Sequence, residues 1–159
     1  MEEEMGARVI RTAKMAMGLC GPYVESPADE VVEEMEDAEG LVAVRLAEEA
    51  IGLDPGCIPA RLLLAEVATD VGDRIEHLDI AVSVGERLWG PVADKLGDQM
   101  AWSDYVGARP YLRAIEALGE AYAECGELDS ALDCFEILAR LEPRRAAREH
   151  LERTLAPLP

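Results

Sequence analysis

The chain has 159 residues and a mass of 17.3 kDa, a length that favours a single domain. Its 33 acidic and 15 basic side chains give a formal net charge of −18, which argues against nucleic acid and anionic membrane surfaces as partners, because both are negatively charged. Half of the residues are hydrophobic and no apolar run reaches the ~18 residues of a membrane span, so we expect a folded chain that does not cross a membrane.

The first half of the chain carries apolar residues at helical spacing. This periodicity predicts an N-terminal helix within residues 1–21 and a short acidic helix ending near residue 37, with Ser26 as its N-cap and Pro27 as its first residue. The next predicted helices cover residues 41–53, 58–71 and 73–88. Residues 78–84 of the last one are rich in β-branched side chains, so a strand there stays an open alternative.

The second half of the chain begins with an interrupted stretch. Pro91, Gly97 and Gly107 break the helical pattern, and we expect an irregular spacer over residues 92–108 with one short helix at its start. Clear periodicity then returns, and it predicts helices over residues 109–123, 128–141 and 144–155.

Cysteine and histidine usage predicts neither a metal site nor a cofactor. The four cysteines include no C-x-x-C pair, and the two histidines, His77 and His150, are far apart in the sequence. The chain opens on a methionine and three glutamates, which is the wrong charge for a secretory signal. We therefore expect reduced thiols and a cytoplasmic location.

Residues 112–145 form a predicted helical hairpin whose side chains follow a fixed order. Counted from Leu112, six residues fall at positions seven, eight, eleven, twenty, twenty-four and thirty-two: Leu118, Gly119, Tyr122, Ala131, Phe135 and Pro143. This order resembles the tetratricopeptide repeat, whose pattern is W-x₂-L-G-x₂-Y…A-x₃-F…P over 34 residues. Two positions depart from it, since Ile115 replaces the tryptophan and Leu138 occupies a late small-residue position.

The resemblance continues upstream in weaker form. The helix over residues 41–53 carries alanines at second-helix positions of the pattern, whereas His77 stands where a small residue is expected. The resemblance implies an all-α fold of antiparallel helical hairpins, stacked as a short α-solenoid in one domain over residues 1–159. Its predicted parts are an N-terminal helix at residues 1–21, degenerate repeats at 27–91, an irregular spacer at 92–108, the clear repeat at 109–143 and a polar capping helix at 144–156.

The resemblance also implies a binding surface. In tetratricopeptide proteins the first helix of each repeat lines a groove that takes an extended peptide or a partner helix. The groove positions of the family fall on eight residues of this chain. Two of them, Pro59 and Leu62, are uncharged, and we take the other six as candidate partner-binding residues: Glu66, Asp70, Arg113, Glu116, Glu120 and Glu124. Five of the eight are acidic and one is basic, which favours a basic protein or peptide as partner. The alternative explanation is general surface charge, because a chain of net charge −18 carries acids on every face.

No catalytic pattern occurs in the sequence, which has no Ser-His-Asp order, no H-E-x-x-H and no glycine-rich phosphate loop. We therefore expect a non-catalytic protein–protein interaction module. Three alternatives stay open. The chain is similar in size and acidity to small bacterial secretion chaperones or adaptors built from three such repeats. It is also compatible with a small-molecule sensor that uses a cavity near residues 89–102, and with a structural protein that forms homo-oligomers.

Overall fold

The computed structural model of the protein describes residues 26–96, 108–142 and 153, with the side chains of residues 91–96 left aside. The described ranges hold six helices and no β-strand. The helices are α1 (Asp29–Asp37), α2 (Gly40–Leu53), α3 (Ile58–Val67), α4 (Val71–Leu96), α5 (Arg109–Glu124) and α6 (Leu128–Leu141). The predicted all-α fold is confirmed.

The six helices pack as three antiparallel hairpins, α1 with α2, α3 with α4, and α5 with α6. Neighbouring hairpins meet through α2 and α3 and through α4 and α5, and α3 also packs against α5. The first helices of the second and third hairpins therefore lie side by side. This order of contacts is that of a short α-solenoid, so the predicted stack of hairpins is confirmed.

The start of α1 differs from the prediction by two residues. Ser26 lies before the helix, where its backbone N–H donates to the Asp29 carboxylate (3.0 Å) and its Oγ accepts the Ala28 N–H (3.1 Å). The same hydroxyl donates to the Asp54 carboxylate at 2.6 Å. The bonds of Ser26 with Ala28 and Asp29 are the reciprocal pair of a capping box, so Ser26 caps the turn that leads into α1, as predicted. Its bond to Asp54 also joins the beginning of α1 to the end of α2.

Helix α4 is longer than predicted. It runs from Val71 to Leu96 without the break expected at Pro91, so the short helix predicted at the start of the spacer is present as a continuation of α4. Proline in a helix interior costs about 3 kcal/mol. The burial of Trp89, which is 5% exposed, and the packing of Leu88 against the same core hold the preceding turn in place. Residues 97–107 of the predicted spacer lie outside the described residues.

The β-branched stretch at residues 78–84 is helical, so the alternative of a strand there is wrong. Leu78, Ala81 and Val82 are buried on one side of α4 within the larger of two apolar cores. Burial of this side against neighbouring helices outweighs the weak preference of β-branched residues for strands.

Two apolar cores hold the stack together. The larger lies among α3, α4, α5 and α6 and includes large side chains such as Leu78, Trp89 and Ile115. The smaller joins the first hairpin to α3, and four of its six buried residues are alanines: Ala28, Ala47, Ala50 and Ala60. Alanine buries little apolar area, and stabilisation scales with that area at roughly 25 cal/mol per Å². Six larger apolar residues pack against this core but are only partly buried: Val31, Val32, Leu46, Ile51, Leu63 and Leu64. We therefore expect the first hairpin to be more weakly held than the third.

The turn between α5 and α6 depends on a glycine. Gly126 has φ of +82°, the left-handed region that side chains other than glycine rarely adopt. Around it, the Glu127 N–H donates to the Tyr122 carbonyl (2.9 Å) and the Gly126 N–H to the Ala123 carbonyl (3.2 Å). These two bonds satisfy the last carbonyls of α5 and reverse the chain within three residues.

Three predictions concern residues outside the described ranges. They are the N-terminal helix at residues 1–21, the repeat residue Pro143, and the capping helix at residues 144–156, of which only Arg153, in helical conformation, is described.

Candidate functional site

The two helices of the third hairpin pack closely at the residues on which the resemblance to the repeat is based. A Cβ at Gly119 would lie 2.7 Å and 2.9 Å from Cε1 and Cζ of Phe135, so the two helices approach too closely there for any larger residue. Leu118, Ala131 and Phe135 are all buried, and Tyr122 is partly buried against the larger core. These residues fix the angle and separation of α5 and α6, and with them the surface that α5 presents.

A second close approach joins the second and third hairpins. A Cβ at Gly85 of α4 would lie 2.6 Å from Cγ and 2.7 Å from Cε1 of Tyr111 in α5. Tyr111 is 5% exposed, and this burial raises the pKa of its hydroxyl to about 12, with the Glu86 carboxylate adding to the shift. This pair was not predicted from the sequence. The sequence does indicate it, because a glycine inside a helix lowers the stability of that helix and is expected mainly where close packing requires it.

The six candidate partner-binding residues lie on α3, on α5 and in the turn that follows α3. Five of them are exposed and one, Glu116, is partly buried. Because α3 and α5 pack against each other and run in the same direction, Glu66 near the end of α3 and Glu120 near the end of α5 belong to the same end of the stack. Arg113 lies on α5 three residues before Glu116, towards the other end.

Arg74 of α4 links the ends of α3 and α5. Its Nη1 donates to Oε2 of Glu124 at 2.7 Å, and its Nη2 donates to the carbonyl of Ala68 at 3.4 Å. The side chains of Arg74 and Glu124 are 28% and 60% exposed, so the ion pair itself adds little stability. The ion pair instead connects two parts of the structure, because the Arg74 guanidinium bonds both to the turn after α3 and to the last turn of α5. The negative charge of Glu124 is therefore already offset by a cation of the same chain.

Asp70 has a structural role that the sequence analysis missed. It directly precedes α4, and its carboxylate accepts the N–H of Asp73 at 3.1 Å. This is the N-cap bond that satisfies one of the free N–H groups at a helix start. The signal was present in the sequence, where an aspartate precedes a helix and a second acid stands three residues later.

Arg61 and His77 form a polar contact between α3 and α4. The guanidinium Nη1 of Arg61 lies 3.1 Å from Nδ1 of His77, and its Nε donates to the Pro55 carbonyl at 3.1 Å. A guanidinium only donates, so this contact requires that Nδ1 accepts and carries no proton. The contact fixes the ring of His77 against α3 and accounts for a histidine at a position where the repeat pattern expects a small residue.

The three described cysteines are free thiols, and two of them are buried. Cys57 and Cys134 are buried, and burial raises the pKa of both, that of Cys134 to about 11. Cys125 is exposed in the turn after α5, where its Sγ donates to the Tyr122 carbonyl at 3.4 Å. Thiolate is the reactive form of cysteine, so a raised pKa makes Cys57 and Cys134 inert near neutral pH.

Within residues 26–96 and 108–142, no three His, Cys, Asp or Glu side chains come together in a group that could hold a metal ion. None of the described helices is both long and apolar enough to cross a membrane.

No protein-family model matches the chain, and no curated protein matches it. The function proposed below is therefore inferred from the helical stack, from the repeat pattern and from the charged side chains of α3 and α5.

Proposed function

We propose that this protein is a non-catalytic interaction module of the tetratricopeptide type, which binds a basic segment of a partner protein along the exposed sides of α3 and α5. The observation that carries this proposal is the packing of α3 against α5, since it aligns the exposed acids of two helices at one end of the stack. A segment lying across both helices meets carboxylates from each of them.

The proposed tetratricopeptide type is supported by the packing of the third hairpin. The pattern needs a small residue where its two helices approach, and Gly119 lies against the ring of Phe135. It also needs first helices that stack on one another, and α3 and α5 do so. Both features come from side chains that the repeat pattern specifies by position.

The preference for a basic partner is supported by the spacing of the acids on α5. Glu116, Glu120 and Glu124 recur every four residues, so they share one side of the helix. A cationic segment laid along this side meets three carboxylates, of which that of Glu124 also pairs with Arg74. Binding of this kind is fast and weakens as salt screens the charges.

The experiment compares two double charge reversals. Glu66→Lys with Glu120→Lys changes exposed acids on α3 and α5, whereas Asp133→Lys with Glu136→Lys makes the same change in net charge on the exposed side of α6. The probe is a fluorescent arginine-rich peptide, and its binding is followed by anisotropy at low and moderate salt. Thermal melts of both variants check that the fold is kept.

The α3 and α5 reversal should weaken peptide binding about tenfold, which is about 1.4 kcal/mol, while the α6 reversal should change it little. Equal loss in both variants would mean that the peptide responds to net charge alone, and the proposal would be wrong. Unchanged binding in both variants would also contradict it.

A further inference from the structure

Residues 64–77 and 120–131 form one end of the stack, where α3 and α5 end and α4 and α6 begin. These two ranges contain eight acidic residues, all of them exposed, and a single arginine or lysine. The acids are Glu66, Asp70, Asp73, Glu76, Glu120, Glu124, Glu127 and Asp129, and the basic residue is Arg74. A basic segment of a partner that reaches this end therefore meets a cation of the chain itself among the acids.

The guanidinium of Arg74 binds two groups that also attract an arginine of a partner. Nη1 donates to Oε2 of Glu124 at 2.7 Å, a short charge-assisted bond, and Nη2 donates to the carbonyl of Ala68 at 3.4 Å. Ala68 directly follows α3, so its carbonyl belongs to the negative end of that helix dipole. An arginine of the partner would form these same two bonds, so Arg74 occupies the position that the incoming side chain needs.

Helix α4 itself does not favour an arginine at this position. Arg74 is the fourth residue of α4, and a cation near the positive end of a helix dipole is unfavourable. The ion pair with Glu124 contributes little to the free energy of folding, because both side chains are partly exposed and water competes for their charges. The main effect of Arg74 is therefore on the charge that this end of the surface presents to a partner.

We propose that Arg74 competes with the basic segment of the partner for Glu124 and thereby lowers the affinity of the surface formed by α3 and α5. This inference rests on the function proposed above, because it concerns the regulation of the same surface. The competitor lies on α4, so a change in this one side chain alters the affinity while every residue of α3 and α5 stays the same.

The test measures binding of the fluorescent arginine-rich peptide to glutamine variants of the full chain. Arg74→Gln removes the competitor. Arg87→Gln is its matched control, because Arg87 is exposed, lies on the same helix and gives the same change in net charge. Glu124→Gln and Glu127→Gln are then each combined with Arg74→Gln, since both glutamates are exposed and only three residues apart. Thermal melts check that every variant keeps its fold.

Arg74→Gln should tighten peptide binding about threefold, the effect of one exposed ion pair, whereas Arg87→Gln should change it little. The gain should be lost when Glu124→Gln is added, because it depends on that carboxylate, and kept when Glu127→Gln is added. A further measurement needs only the wild-type chain. The NMR signal of the Arg74 Nε–Hε group should shift as the peptide is added, because the peptide displaces the guanidinium from Glu124.

Three results would overturn this inference and leave the proposed function standing, provided that the reversal of Glu66 and Glu120 does weaken binding. They are weaker or unchanged binding by Arg74→Gln, an equal gain in Arg74→Gln and Arg87→Gln, and an Arg74 signal that does not move when the peptide saturates the protein. If the reversal of Glu66 and Glu120 leaves binding unchanged, the proposed function is wrong and this inference is wrong with it.

Discussion

Two glycines set the separation of helices around the larger core. Gly119 lets α5 approach the ring of Phe135, and Gly85 lets α4 approach the ring of Tyr111. In both places the glycine has no side chain, and an aromatic ring of the neighbouring helix fills the space that a Cβ would need. Interiors packed at this density tolerate added atoms poorly.

Gly119→Ala should therefore destabilise the protein by about 1–3 kcal/mol through overpacking against Phe135. The matched control is Gly52→Ala in α2, where a Cβ would have nothing within 4 Å. That substitution should stabilise the protein by about 0.5–1 kcal/mol, because alanine is the better helix former. Denaturant unfolding measures both changes.

A double-mutant cycle with Phe135→Leu identifies the cause. If the added methyl group meets the ring, the combined loss for Gly119→Ala with Phe135→Leu should be smaller than the sum of the two single losses. Strict additivity, or a stabilising effect of Gly119→Ala alone, would contradict the packing described for α5 and α6.

The helices differ in how strongly they are held. The first hairpin packs through alanines and Met35 and carries half of the net charge, whereas the third buries Leu118, Phe135 and Leu138. Small buried area and like-charge repulsion both lower the free energy needed to open a hairpin. Local stability should therefore rise from the first hairpin to the third.

Hydrogen exchange measures this gradient directly. Amides in the middle of α1 and α2 should exchange at least about tenfold faster than those in the middle of α5 and α6, because they open without unfolding the larger core. The comparison is made within one sample, so pH and temperature are the same for every helix. Equal protection in the two hairpins would show that the stack opens only as a unit and would contradict the difference in core packing.

The sequence predicts the end of a helix when local residues determine that end, and fails when contacts with other helices determine it. The beginnings of α3, α5 and α6 and the end of α6 were predicted to the residue, because prolines, glycines and apolar spacing mark them locally. The end of α4 was not, since Pro91 is a local stop signal that the burial of Trp89 outweighs. Burial of that kind depends on other helices, which no local pattern reports.

The candidate site was predicted only as a set of positions. The repeat spacing assigned Glu66 and Glu120 to first helices of successive repeats, and both residues are exposed on helices that pack against each other. It did not indicate that Asp70 caps α4 or that Glu124 pairs with Arg74, fifty residues away in sequence. The local sequence was sufficient to predict the Asp70 cap. The Arg74–Glu124 ion pair could not be predicted in this way, because it forms only when the second and third hairpins pack together.

At the scale of the whole molecule, the negative charge is unevenly distributed over a stack of three hairpins. The first hairpin carries the highest charge, and the second and third share the acids of α3 and α5. In our account only the acids of α3 and α5 form a surface that binds a basic segment of a partner. General surface charge would instead attract a basic peptide to every acidic helix alike.

Amide NMR spectra recorded while the arginine-rich peptide is added to the full chain separate these two descriptions. Our account predicts that the largest shifts cluster around Glu66 on α3 and around Glu116 and Glu120 on α5, and that they fade at moderate salt. Shifts of similar size on α1 and α6, or a maximum on the first hairpin, would contradict a binding surface formed by α3 and α5.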